Sequence, residues 1–351
     1  MQTQSEFTTT VTPFDTYRGQ EVYRYTIENA HGVRLSVLNL GEILNELSIP
    51  SGNGRQNLVL NYPHSADYYA NPFYVNMAIG RTAGRIGHDR LTLNNRTYLL
   101  PQNEGDTTLH GGPHGFHQRF WVGKLTTIDD CPAIQLTTTQ HPEDDGFPGT
   151  LTTTMTYQLS LDNTVTVTFA GTCDTESVFN PTLHTYFNLG DAATILAHTL
   201  QVNATNRLAT QPNKVPTGTF TRLANTPFDF QQSRPLQQAI DGLQQTSERG
   251  LDDVYCVTPD EAGAVAHLAD PDTGVTITVG SHQNGLVVFT ANSFTTAHMP
   301  FIKTGGHGNP YLGIALEPHT LPDATAHPNF GDITIHPGQP RLKTLSYHVT
   351  F

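Results

Sequence analysis

Residues 151–172 read LTTTMTYQLSLDNTVTVTFAGT, and two short alternations are written into them. In the first, Leu151, Thr153, Met155, Tyr157 and Leu159 fall on one side, and Thr152, Thr154, Thr156 and Gln158 on the other. In the second, Val165, Val167 and Phe169 oppose Thr164, Thr166 and Thr168. A period of two with one apolar face is the pattern of a half-buried strand. Threonine suits the outer face, because β-branched side chains pack well on a pleated surface. The intervening SLDN supplies turn chemistry, so the stretch predicts a β-hairpin.

The same reading extends outward. GVTITVG (274–280) and GLVVFTAN (285–292), joined by SHQN, predict a second hairpin. FNPTLHTYFNLGD (179–191) alternates Phe179, Pro181, Leu183, Thr185, Phe187 and Leu189 against Asn180, Thr182, His184, Tyr186 and Asn188. It predicts one half-buried strand with His184 on its polar face, looking at water or into a groove. Helical period is confined to RPLQQAIDGLQQ (234–245), where Leu236, Ile240 and Leu243 follow Pro235 and predict one short helix. Glycine, proline and asparagine fall between the runs as turns. Many strands and few helices predict an all-β fold, a large antiparallel β-sandwich. With no repeat and no low-complexity linker, residues 1–351 are expected to form a single domain.

Composition narrows the function. The chain carries 31 acidic and 18 basic residues, a formal charge of −13, and only 14% charged side chains. Such a chain offers little to a phosphate backbone, which argues against nucleic acid, and it disfavours anionic membranes and phosphorylated substrates. A neutral polar small molecule fits better. The cysteines, Cys131, Cys173 and Cys256, are odd in number, far apart and without a CxxC pair, so neither a disulfide framework nor a zinc knuckle is expected. MQTQSEFTTTVTPF at the start has no basic segment followed by an apolar run, and no stretch approaches a membrane span, which predicts a cytoplasmic location.

The candidate chemistry is acid–base. In YLGIALEPHTLPD (311–323), Glu317 ends a row whose nearest members, Gly313 and Ala315, are small, so it reads either as a solvated strand-end glutamate or as the floor under a ligand. In QNEGDTTLHGGPHGFHQRFW (102–121), His110, His114 and His117 invite a metal, but Gly111, Gly112 and Pro113 prevent the helix that a zinc pair at i, i+4 needs. No metal site is expected, and His110 reads equally as loop or site. IGRTAGRIGHDR (79–90) offers Arg85, either a surface charge or a ligand fork whose planar donors suit vicinal hydroxyls or a carboxylate. ERGLDDVY (248–255) holds Asp252 and Asp253, each a turn residue or an acceptor. His298, His307 and His336 read as surface or loop residues. GxSxG, HExxH and known Cys/His spacings are absent, which leaves histidine plus carboxylate as general acid–base material.

Taken together, GRTAGRI, NEGDTTLHGG, DDGFPG, FNPTLHTYFNLGD, RGLDDVY, VFTAN and GIALEPHTLPDA resemble, in order and spacing, the aldose 1-epimerases, also called galactose mutarotases. The resemblance implies the family's β-supersandwich and a reaction that interconverts the α and β anomers of free aldoses such as galactose, glucose or maltose. It implies Glu317 as general base and His184 as general acid, with His110, Arg85 and Asp252 holding sugar oxygens. No cofactor is implied, and the only partner is a small sugar, bound by a monomer or homodimer. Tyr186 would either pack on the sugar or fill the sheet, and Trp121 would be either a sugar platform or core. Where many relatives carry asparagine before the arginine, this chain has Gly84. Val287 and Val288 stand where some relatives place glutamine, and Pro318 follows Glu317 where many have a polar residue. These departures bear on sugar preference. A carboxylate beside His184 is expected to raise its pKa and to give a bell-shaped pH profile whose alkaline limb belongs to His184. Two rivals on the same fold are a hexose-6-phosphate 1-epimerase, which needs a cationic phosphate clamp, and a non-catalytic sugar sensor, which need not keep both acid and base.

Overall fold

The computed structural model describes residues 6–52, 54–295, 299–303 and 306–351. Among these, three large antiparallel sheets carry the fold. A five-stranded meander runs through Phe7–Tyr17, Gln20–Asn29, Arg34–Leu38, Leu44–Ser51 and Gly54–Asn57. A nine-stranded sheet is centred on Leu151–Leu159, Thr164–Cys173 and the C-terminal strand Arg341–Thr350. A six-stranded sheet orders Tyr186–Phe187, Ile314–His319, Gly285–Phe289, Asp252–Val257, Ala204–Thr210 and Pro216–Arg222. Met155, Phe169 and Tyr347 from the nine-stranded sheet share one core with Leu286, Val288 and Leu316 from the six-stranded sheet and Leu35 and Leu47 from the meander. This is a β-sandwich in which inward residues of facing sheets interdigitate.

The 151–172 hairpin forms as its alternation predicts. Leu151 to Leu159 pair with Cys173 to Val165, and the burial of the first strand alternates residue by residue. Threonine pairs face outward, and the hydroxyls of Thr137 and Thr154 lie 2.9 Å apart. The helix also forms, as Leu236–Leu243, burying Leu236, Ala239, Ile240 and Leu243.

Two expectations fail. Thr276–Ser281 and Gly285–Phe289 are not a hairpin, because the first lies in the nine-stranded sheet and the second in the six-stranded one. SHQN carries the chain across the core from one sheet to the other, with the Gln283 amide donating to the Pro318 carbonyl. Alternation shows which face each strand buries but not which strand it pairs with. The 179–191 stretch is not one half-buried strand either. Thr182–Leu183 pairs with Ala78–Ile79, the chain bends, and Tyr186–Phe187 pairs with Ile314 and Ala315. Both of its faces are buried: Tyr347 donates to Thr185 from one side, while His184 faces a cavity on the other.

Arg81 ties the DDGFPG turn to the sheets. It is 1% exposed, and its guanidinium donates to the carbonyls of Pro148 (2.8 Å), Gln140 (3.2 Å) and Gly149 (2.7 Å) and to the Ser177 hydroxyl (3.0 Å). Arg81→Met leaves those acceptors unpaired in the interior, and hydrogen bonds to a charged group are worth about 1.5–3 kcal/mol each. Urea denaturation is expected to record a loss of at least about 3 kcal/mol on that scale; a loss below about 1 kcal/mol would contradict the role given to this side chain.

Candidate active site

The outer face of the six-stranded sheet builds the floor of a cavity of about 290 Å³. Register does the positioning. Val254, Val287 and Glu317 lie side by side across three strands, and Asp252, Phe289, Ala315 and Tyr186 form the next row. Alternation therefore puts Glu317 and Asp252 on the same face, as Leu286, Val288 and Leu316 go to the core. The small Ala315 leaves the space beside Glu317 open, which is the feature that singled out Glu317 in the sequence.

His184 comes to the floor from the bend at 184–185. Its backbone is pinned on both sides, with its N–H donating to Met77 (3.0 Å) and its carbonyl accepting from Asn76 (3.0 Å). Its Nε2 lies 3.4 Å from Glu317 Oε1, with the two side chains only 8% and 2% exposed. His110 stands across from it, ring centroids 5.4 Å apart and edge-on. Arg85, Asp252 and Tyr186 line the same cavity, so the structure brings all six candidate residues together.

Tyr186 and Trp121 resolve differently from a sugar platform. The Tyr186 ring is fully buried, stacks on His184 at 5.0 Å and donates its hydroxyl to the Phe73 carbonyl, so it backs the imidazole. Trp121 is core, packed edge-on against Phe116. Of the other histidines, His114 sits against Asp145 and His117 is buried behind Tyr74, while His307 and His336 are exposed and His298 lies outside the described residues.

Several lining residues escaped sequence reasoning. Glu104 grips Arg85 with two parallel bonds, Nε at 2.5 Å and Nη2 at 2.8 Å, so much of the Arg85 fork is already engaged. Lys214, from the loop between two strands, reaches Asp252 (3.3 Å) and Glu248 (3.1 Å) at the mouth. Glu104 stands within the NEGDTTLHGG motif, but nothing in the spacing shows which cation it meets. Of the two valines at 287 and 288, only Val287 faces the cavity, which makes that wall apolar.

Burial dominates the electrostatics. It pulls His184 down to about 4, with Asp252 opposing only in part. It pushes Glu317 well above the ordinary carboxylate range, helped by the charge of Asp252 and opposed by Arg85. The expected rise at His184 is therefore reversed: desolvation of the charged imidazole outweighs the neighbouring carboxyl group. The site favours an uncharged pair, a carboxylic acid beside a neutral imidazole. His110 is also held well below its usual value by burial and then by His184.

Gly84 fixes the His110 tautomer. Its N–H donates to His110 Nδ1 at 3.3 Å, so the ring hydrogen of neutral His110 sits on Nε2. His110, His184 and Glu317 offer atoms within 4.8 Å of one another, a spacing a metal ion could use. A metal-binding imidazole normally donates its remote N–H to an acceptor. Here that remote nitrogen accepts, which makes His110 a hydrogen-bond donor to the cavity and a poor ligand.

Three comparisons bear on this site. A sequence model of the aldose 1-epimerase family matches residues 23–348. The chain belongs to this family. It is 36% identical to a maltose epimerase of Levilactobacillus brevis over 95% of this chain and 97% of that protein. It is 35% identical to an aldose 1-epimerase of Streptococcus thermophilus, covering 94% of each. The crystal structure of a galactose 1-epimerase from Lactobacillus acidophilus superposes with a TM-score of 0.85 at 25% identity, over 98% of this chain and 99% of that one. The protein is thus an isomerase acting on carbohydrates, with the β-sandwich of its family. Among the described residues, no helix is long and apolar enough to cross a membrane.

The Gly84 position is testable within the epimerase fold. Its φ is +73°, and an added Cβ would lie 2.6 Å from Pro322 Cβ. Gly84→Ala is expected to lower kcat/KM at least about tenfold by shifting the donor that orients His110, with a stability loss of about 1 kcal/mol or more from the strained backbone. Native kcat/KM in the folded variant would show that His110 does not depend on this N–H.

Proposed function

We propose that the protein is a mutarotase of free, uncharged aldoses such as galactose, glucose or maltose, with Glu317 and His184 as its acid–base pair. The observation that carries this reading is the 3.4 Å approach of His184 Nε2 to Glu317 Oε1, both side chains nearly buried, on the floor of the cavity. Glu317 acts as general base on the C1 hydroxyl, and His184 as general acid on the ring oxygen. The ring opens to the aldehyde, C1 turns about the C1–C2 bond, and closure on the other face reverses both proton transfers.

The pair needs a single proton. With the closed sugar that proton is on His184 and Glu317 is ionised. With the open aldehyde it is on Glu317 and the imidazole is neutral. Burial of the two side chains favours the second, uncharged allocation, which belongs to the open-chain form, so the site draws the sugar toward ring opening. Before opening, the resting proton passes from Glu317 to His184 over their short contact. His110 donates from Nε2 to a sugar oxygen, Arg85 donates from what Glu104 leaves free, and Asp252 accepts from hydroxyls.

The lining supports an uncharged substrate. Glu104, Glu248, Asp252, Asp253 and Glu317 face Arg85 and Lys214 there, and both cations are engaged by carboxylates. A phosphosugar would meet excess negative charge, and a sensor has no need of the paired acid and base. Polarimetry on freshly dissolved α-galactose, α-glucose and α-maltose tests the reading. Wild type is expected to speed the decay of rotation to equilibrium, and Glu317→Gln and His184→Asn each to lose about 10²–10⁴ in kcat. Full activity in either folded variant would remove that residue from the mechanism. No acceleration of any of the three sugars would overturn the mutarotase reading for them.

A further inference from the structure

Tyr74 occupies a position that the chemistry above does not use. Its backbone φ is +49°, in the left-handed region where a bulky aromatic residue is rare. The surrounding loop enforces it: the Tyr74 carbonyl accepts from Met77 (3.0 Å), and Phe73 is held by Asn71 at its N–H and by Tyr186 at its carbonyl. Backbone held in such a region points to a functional constraint on where the side chain goes.

The side chain goes between the histidines. Its ring lies 4.9 Å from His110 and 4.9 Å from His117, edge-on to both, and 6.1 Å from His184 at 27°. Behind it is a second cavity of about 260 Å³, bordered by Tyr69, Met77, Asn103, His117 and Gln118. Both cavities share Tyr74 and Pro72 as their boundary. Among the described residues, the second has no lysine, arginine or carboxylate in its lining, a chemistry of aromatic rings and amides that suits a neutral polyol. Tyr74 lines the main cavity together with Arg85, Glu104, His110 and His184, which puts this side chain on the substrate side. Among the described residues the Tyr74 hydroxyl has no hydrogen-bond partner.

We propose that Tyr74 is a specificity-determining residue: its hydroxyl hydrogen-bonds the bound sugar, and its ring is the wall that keeps the second cavity closed to a larger, disaccharide substrate. The proposal rests on the mutarotase reading of the main cavity for its substrate class. Tyr74→Phe removes only the hydroxyl, and Tyr74→Ala also joins the two cavities.

The test measures kcat and KM for glucose, galactose and maltose by polarimetry, and equilibrium binding of the same sugars by calorimetry, on wild type and both variants, with thermal melts to establish folding. Tyr74→Phe is expected to raise KM and Kd for the monosaccharides about three- to tenfold at nearly constant kcat, the effect of one neutral hydrogen bond. Tyr74→Ala is expected to shift the ratio of maltose to glucose affinity at least fivefold toward maltose. Folded variants with wild-type KM, Kd and sugar ranking would overturn the proposal. Wild-type binding without turnover would reject the mutarotase reading while the binding ratios still judge Tyr74, and no sugar binding in wild type would overturn both.

Discussion

An imidazole and a carboxyl group 3.4 Å apart and almost without water contact are more stable sharing one proton as a neutral pair than holding it as separated charge. His184 and Glu317 meet that condition, and much of the molecule serves to keep them there. Glu317 is placed by strand register against Val287, and His184 by hydrogen bonds to Asn76 and Met77. Asn76 does more than this: its side-chain amide donates to the Leu60 carbonyl and its carbonyl oxygen accepts from the Tyr186 N–H. The loop that pins His184 is therefore itself anchored to the sheet that carries Glu317.

Behind this pair, two polar side chains find partners at short range. Tyr186 stacks on His184 and spends its hydroxyl on the Phe73 carbonyl. Thr182 donates to the Pro318 carbonyl at 2.8 Å, so the proline after Glu317 keeps a partner for its oxygen even though it offers no N–H. At the mouth the pattern changes to ion pairs, Arg85 with Glu104 and Lys214 with Glu248 and Asp252. His184 and Glu317 are buried at the floor, whereas the rim is charged and partly solvated. On the proposed reading, a sugar meets donors and acceptors at the rim before its anomeric carbon reaches His184 and Glu317.

Much of this was legible in the sequence because alternation reports burial. It revealed the 151–172 hairpin and the placement of Glu317 on an open row. It misjudged 274–292, because a period of two says nothing of whether the next strand stays in the same sheet. It misjudged the course of 179–191, where tertiary partners on both sides replace a continuous ladder with a bend. The sign of the His184 shift was illegible for a related reason: desolvation depends on everything that covers the ring, and a neighbouring carboxyl group is only one contributor. Tyr74 and Glu104 were invisible for want of a local signal, since a tyrosine in left-handed backbone and a glutamate paired with an arginine nineteen positions away look ordinary in one dimension.

The most direct test of the shared-proton account is the pH dependence of kcat/KM for the preferred sugar. The lowered His184 and raised Glu317 set the signs. The pair gains a second proton only as pH falls through about 4, and loses its single proton only well above the ordinary range of a carboxylate. The expected result is an acid limb that falls only as pH drops through about 4, with no loss of activity on acidifying through the free histidine value of about 6.5. An acid limb centred near 6.5 would mean that a solvated imidazole controls the reaction, and would contradict the account.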